Sequence, residues 1–385
     1  VSNDDAVFVI GTGAIPFGRH YEKTVAALAA PAILAALADA GAERKDVEAA
    51  YCGTALGGMM TGQRCLKPIG MTGIPTVNVE NACASSATAF RQAWAGIRAG
   101  LHEVALVFGV EKLTKLSGPL PIESDDWEGA QGMTMPALYA MRARRYMHDR
   151  GATAADLAEV AVKARRHGAL NEIAQMREPT TVEEVLSSRP VADPLTLLQC
   201  CPTGDGAAAL VLASAAAARR FAGPGAARPA RVISSTLVSG RYITGFRDMT
   251  SPEITKRAAR IAYDDAGLGP EDIDVVETHD AFTVAELLYY EALGLSKEGE
   301  AVALLKSGAS SVGGRIPVNP GGGLLARGHP VGASGAAQLV EITRQLQGRA
   351  GRRQVEGARV GLAHVTGGGI SGLDHGTAAI HLLRV

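Results

Sequence analysis

The sequence predicts an α/β protein built as two similar halves. Three observations carry this. Strand-like runs alternate with Ala-rich helical patterns, the alternation runs through the chain twice, and two short segments of the first half reappear in the second. Gly204-Asp205-Gly206-Ala207-Ala208-Ala209 answers Asp374-His375-Gly376-Thr377-Ala378-Ala379, and Cys83-Ala84-Ser85-Ser86-Ala87 answers Gly332-Ala333-Ser334-Gly335-Ala336. Two copies describe a duplication, not a repeat array.

In the first half the aliphatic runs Ala6–Thr12, Val47–Gly53, Val77–Glu80 and Glu103–Gly109 read as strands. Helical spacing covers Val25–Ala40, stopped by Gly41, and Cys83–Arg98, closed by Gly100. From about Lys112 to Leu198 the rhythm breaks into Pro-rich turns and amphipathic helices, Met135–Arg150 and Ala154–Gly168, before a strand from Gly204 to Leu212. The second half repeats the plan without the insertion. Its strands are Val232–Leu237, Ile273–Glu277, Val360–Val365 and Thr377–Leu383, and its helices Glu253–Ala266, Phe282–Leu293 and Ala333–Gln347. Ala215–Arg231 reads as a linker with a helical start. The predicted domains are therefore an N-terminal half at 1–112 and 199–220, an inserted loop domain at 113–198, and a C-terminal half at 221–385.

With 385 residues the chain can bury two or three core-sized units. Its 38 basic and 39 acidic residues are interspersed, which argues against nucleic acid or an anionic membrane as a partner. No apolar run approaches membrane-span length, and no signal-like start is present. Five cysteines, with Cys200 and Cys201 adjacent, make neither a disulfide framework nor metal-ligand spacing, so the expectation is a reduced, cytoplasmic protein with no metal.

Chemistry concentrates where strands end. Cys83 follows the β-branched run of Val77 and Val79 and opens a helix among small neighbours. There the unpaired N–H groups and the macrodipole would favour a thiolate, although a small core residue would also fit. Thr278-His279-Asp280-Ala281-Phe282 directly follows a strand. His279 is there a capping, buried or catalytic histidine, and Asp280 a natural N-cap for the helix that follows. Asn319 to Gly335 holds six glycines in seventeen positions, a pattern of close backbone approach, and it fixes His329 between Gly328 and Pro330. No P-loop ending is present. In His364-Val365-Thr366-Gly367-Gly368-Gly369 a strand runs into glycines whose N–H groups could serve an oxyanion or simply make a hairpin turn.

Together these segments resemble the thiolase superfamily over essentially the whole chain. The block Asn319-Pro320-Gly321-Gly322-Gly323, Gly328-His329-Pro330 and Gly332-Ala333-Ser334-Gly335 is the most specific. His279-Asp280-Ala281-Phe282, with His364 before the last glycines, looks most like the sterol-carrier-protein type. The resemblance implies a thiolase fold, βαβαβαββ halves in a five-layer αβαβα core. It implies Cys83 as acyl-accepting nucleophile, His329 as its activator, and His279 where commoner thiolases place an oxyanion-hole asparagine. Around them, Gly367, Gly368, Gly369, Phe282, Gly332 and Ser334 would shape oxyanion holes and substrate contacts. Coenzyme A would be substrate, with no bound cofactor. A homodimer and a small zinc-ribbon/OB-fold partner are expected.

The departures matter. Commoner thiolases carry a second, proton-shuttling cysteine in the last block, where this chain has His364-Val365-Thr366. Sterol-carrier types can place it within the His-Asp-x-Phe block, where this chain has Ala281. The α-carbon proton must then come from His279, His364 or water. Other readings are a decarboxylating ketosynthase-like condensing enzyme, an acyl-CoA aldolase, and a catalytically weak acyl-binding subunit. By analogy the insertion roofs the pocket. Met133, Met135, Met141 and Met147 read mainly as core there, and Arg142, Arg144 and Arg145 as a solvated face or partner contact. An aromatic or branched β-oxoacyl-CoA, of the benzoylsuccinyl type, is the substrate suggested by the branch.

Overall fold

A computed structural model describes residues 5–116, 126–223, 227–242 and 244–385, so parts of the predicted insertion and linker lie outside the described residues. The first half supplies β1 (Val7–Ala14), α1 (Val25–Ala40), β2 (Ala49–Gly53), α2 (Thr61–Leu66), β3 (Thr76–Val79), α3 (Ser85–Arg98) and β4 (Val104–Lys112). The insertion adds α4 (Trp127–Ala130), α5 (Met135–Arg150), α6 (Ala154–Gly168), α7 (Val182–Ser187) and a small hairpin, β5 (Pro190–Ala192) with β6 (Leu195–Thr196). Then come β7 (Asp205–Ser214) and α8 (Ala215–Phe221). The second half runs β8 (Ala230–Ser239), α9 (Glu253–Ala266), β9 (Val275–Glu277), α10 (Thr283–Ala292), α11 (Ala301–Lys306), α12 (Gly323–Ala326), α13 (Ser334–Leu346), β10 (Val360–Gly367) and β11 (Thr377–Arg384).

Caps explain several boundaries. The Thr24 hydroxyl accepts from the Ala27 N–H at the start of α1, and Gly41 closes that helix in the left-handed region. Thr153 and Asp156 form a capping box on α6. Among the described residues no helix is long and apolar enough to cross a membrane.

The duplication shows in the strand order. β2 lies parallel to β4, which is antiparallel to β7, which is antiparallel to β1. β9, β10, β11 and β8 repeat that arrangement strand for strand. Where the first half adds β3, the second has, among the described residues, only a bridge from Val318 to Val276. The halves join through a short pairing, Val7 with Val232, Phe8 with Arg231 and Val9 with Ala230. α3 and α13 pack on each other and on strands of both halves, while α1 covers β1, β4 and β7 outside and α9 covers β8 and β11. That stack is the five-layer core. Its inner helices sit close: a Cβ on Gly53 would lie 2.3 Å from Ser86 Cα, so only glycine allows β2 to meet α3 there.

The insertion packs on the second half. Tyr139 of α5 stacks on Phe282 at 4.5 Å between ring centroids. Lys163 of α6 reaches into the core to pair with Glu286 of α10 at 2.6 Å and to donate to the Val318 carbonyl at 2.9 Å. One expectation is overturned here. Arg142 is not on a solvated face but is buried against Asp374, because its neighbours on α5 carry the helix into the apolar core.

Replacing Lys163 with methionine leaves the Glu286 carboxylate buried without its cation and should cost about 3–5 kcal/mol, read as an earlier urea midpoint. A loss below about 1 kcal/mol would show the pair to be no stronger than a surface ion pair.

Candidate active site

Cys83 lies in a single 3-10 turn, Ala82–Ala84, that leads into α3. Ala82 holds φ at 48°, a left-handed conformation costly for a residue with a Cβ, and so thrusts the next side chain out of line with the helix. The Ser85 hydroxyl stabilises the turn by donating to the Ala82 carbonyl at 2.6 Å and accepting from the Asn81 N–H at 3.0 Å. Cys83 as a residue is only half-buried, but its thiol group lies inward, away from solvent. The expected thiolate does not follow. Burial pushes the thiol up to about 12, and the N–H groups of Gly368 and of Cys83 itself offset only part of that.

A histidine stands within hydrogen-bond distance of this thiol. His329 Nε2 lies 3.2 Å from Cys83 Sγ, and His329 Nδ1 lies 2.7 Å from the Ser334 hydroxyl. Ser334 spends its own hydrogen on the Pro330 carbonyl at 3.0 Å, so it must accept from Nδ1–H. The imidazole is thereby held in the tautomer that leaves Nε2 free to accept the thiol proton. Burial pulls the His329 pKa down to about 3, so the resting pair is a neutral thiol and a neutral imidazole.

His279 completes the group. Donor atoms of Cys83, His279 and His329 lie within 4.8 Å of one another, and the two rings meet edge to face at 5.2 Å between centroids. Burial, then the neighbouring His329, lowers the His279 pKa well below the ordinary value, and its Nδ1 is buried without a hydrogen-bond partner among the described residues. Cys-His-His is also a donor set that a soft cation could use. Asp280, next in sequence, caps not the helix that follows but α12: its carboxylate accepts from the Leu324 N–H at 2.6 Å. A Cβ on Gly323 would lie 2.1 Å from that carboxylate, which accounts for a glycine there.

Not every expected residue joins the cluster. His364 is fully buried with both ring nitrogens held, Nδ1 by the Thr278 hydroxyl at 2.8 Å and Nε2 by that of Thr255 at 3.1 Å. Burial lowers its pKa to about 3. Neither ring nitrogen of His364 is left without a hydroxyl partner. Phe282 is buried and stacks on Tyr139. Gly332 donates its N–H to Glu111 at 3.1 Å. Of the glycine block, Gly368 reaches the sulfur, Gly367 ends β10 in register with Thr377, and Gly369 abuts Met135.

Sequence reasoning missed two supports. Glu111 is fully buried at the end of β4 and accepts from the Ala55 N–H at 2.8 Å as well as from Gly332, tying a first-half loop to the turn before α13. Asn319 accepts from the Thr278 N–H at 2.8 Å just before His279. The Asn-Pro-Gly motif was the available signal for Asn319. Nothing local marked Glu111.

The family model described as thiolase, N-terminal domain, matches residues 7–216, and that described as thiolase C-terminal domain-like matches 235–378. The chain belongs to the thiolase family. It is similar to the benzoylsuccinyl-CoA thiolase subunit BbsB of Thauera aromatica, 43% identical over 94% of this chain and 95% of that one. An acetyl-CoA acetyltransferase of Methanothermobacter thermautotrophicus is 41% identical over 98% of each. Human sterol carrier protein 2 is 38% identical over 94% of this chain and 70% of that protein. A solved Ltp2-ChsH2(DUF35) aldolase covers 100% of this chain and 99% of its own at 28% identity and a TM-score of 0.85. Human mitochondrial 3-ketoacyl-CoA thiolase shares the fold, with a TM-score of 0.75, 19% identity and 98% coverage of each chain. The chain is thus an acyl-CoA acyltransferase of the thiolase type, with coenzyme A as substrate.

Because the resting thiol is neutral, alkylation of Cys83 by iodoacetamide, followed on its peptide by mass, should rise about tenfold per pH unit between roughly pH 7 and 10. A plateau below about pH 8 would reveal a preformed thiolate–imidazolium pair and contradict this reading.

Proposed function

We propose that this protein cleaves or forms β-oxoacyl-CoA thioesters through an acyl group carried on Cys83. The observation that carries the reading is the Cys83–His329 contact of 3.2 Å, with the histidine tautomer set by Ser334. An aldol cleavage would need no sulfur nucleophile, and an acyl-binding scaffold would need no oriented base, so this contact favours the thiolase reading over both.

In the cleavage direction His329 takes the thiol proton as sulfur attacks the β-keto carbon. The N–H groups of Gly368 and Cys83 then receive the tetrahedral oxygen. Collapse leaves the acyl group on sulfur and releases an enolate of acyl-CoA. Its oxygen is met by the imidazolium of His329 and by an N–H of His279. Free CoA then removes the acyl group from Cys83, and the departing thiolate recovers its proton from His329.

The substrate proposed is an aromatic or branched β-oxoacyl-CoA. The similarity to the benzoylsuccinyl-CoA subunit supports it, as does Met135, whose sulfur lies against Gly369 beside the oxyanion hole. A homodimer and a small zinc-ribbon/OB-fold partner are proposed as the working assembly. The relative named as a subunit and the solved neighbour named with a DUF35 component support the partner.

Incubation with a panel of β-oxoacyl-CoA thioesters should give CoA-dependent conversion to two shorter thioesters, resolved by chromatography, and Cys83→Ala should abolish it. His279→Ala should slow cleavage by about 10²–10³-fold while sparing acylation from a simple acyl-CoA, the signature of a lost enolate donor. Equal loss in both steps would remove His279 from this role.

A further inference from the structure

The mechanism above leaves one atom without an acid. Carbon–carbon cleavage leaves an electron pair on the α-carbon, and that carbon must gain a proton. His329 is committed to the sulfur, His279 is a neutral donor to oxygen, and His364 is held by two hydroxyls.

The geometry points to Cys201 as the acid–base residue for the substrate α-carbon, its thiol standing beside Ala281, two residues after His279. This rests on the thiolase reading and deepens it. Cys200 and Phe282 form an antiparallel bridge, and the Cys201 N–H donates to the Ala281 carbonyl at 2.9 Å. Cys201 and Ala281 therefore face each other beside that bridge, joined by one N–H···O bond. In an antiparallel pair, side chains of residues placed in this way lie on one face. The other face carries Cys200 and Phe282, and Phe282 points into the core against Tyr139. The Cys200 thiol is spent on the Thr196 carbonyl at 3.4 Å, and among the described residues no carbonyl holds the Cys201 thiol in that way. The small Ala281 methyl leaves the space across the pair to that thiol.

The electrostatics agree with the placement. Burial, then Cys200, Cys83 and Asp280, pushes the Cys201 thiol well above its ordinary range, so the Cys83 sulfur lies within its electrostatic reach and the group is held protonated. A protonated, weakly acidic thiol suits a strongly basic carbanion better than a neutral imidazole does.

The step balances. The Cα–Cβ bond breaks and its electron pair stays on Cα, which takes the hydrogen from Cys201 S–H and leaves a Cys201 thiolate. Incoming CoA–SH returns a proton to that thiolate, and the resulting CoA thiolate attacks the Cys83 thioester. In condensation the same thiolate removes the α-proton.

Two readouts separate this inference from the reading beneath it, both with acetyl-CoA as probe. Acetylation of Cys83 is followed by intact mass, and exchange of the acetyl methyl protons is followed in D2O. In Cys201→Ala, acetylation should stay within about threefold of wild type while exchange falls by about 10²-fold or more. Adding Ala281→Cys to that variant should restore exchange at least about tenfold, because it returns a thiol to the same face of the pair. Undiminished exchange in Cys201→Ala would overturn the proposal. So would parallel loss of both readouts that Ala281→Cys does not recover, which would mark Cys201 as structural. If wild type takes no acyl group on Cys83 from either acetyl-CoA or a β-oxoacyl-CoA, the thiolase reading falls and this inference with it.

Discussion

The meeting of two helix starts at the centre of the molecule governs the rest of the structure. The turn Ala82–Ala84 enters α3 from one half, and the turn Val331–Ala333 enters α13 from the other. The two are knitted where they touch: the Ser86 hydroxyl accepts from the Ala336 N–H at 2.9 Å, and Glu111 accepts from Gly332. The two members of the proposed reacting pair sit at these turns, Cys83 within the first and His329 just before the second. A contact of 3.2 Å between residues 246 positions apart therefore depends on packing within the central layer, where shifts of a fraction of an ångström are resisted.

That burial has an electrostatic consequence. The thiol and the imidazoles are all driven toward neutral forms, so the resting site stores no ion pair. In the proposed mechanism charge arises only as the thiol proton moves to His329, in buried surroundings where N–H dipoles act strongly. Anionic groups are kept around the site with their own partners. Arg327 pairs with Glu277 at 2.7 Å and Lys163 with Glu286. Asp374, which burial works against, is held charged by Arg142 beside it.

Much of this was legible in the residues. The strands and helices and the duplication come from periodicity, Cys83, His279 and His329 are picked out by motifs that resemble the thiolase superfamily, and α1, α5, α6 and α9 fall on their expected bounds. What was not legible depends on burial or on contacts across the chain. A helix-start cysteine predicts a thiolate only when solvent is near, and here desolvation outweighs the dipole. His364 lies in a glycine-rich block of the right kind, yet Thr255 and Thr278 neutralise its chemistry from distant segments. Arg142 reads as a surface charge until Asp374 is brought beside it by the fold. Cys201 looks like half of an inert pair until strand pairing sets it opposite Ala281.

The central claim is that the acyl group travels on Cys83. Its most direct test is peptide mapping after a β-oxoacyl-CoA is mixed with the protein in the absence of CoA and quenched in acid. The account predicts an acyl mass increment on the Cys83 peptide that disappears when CoA is added before the quench. Product formation without any such increment, or an increment on another residue, would contradict it.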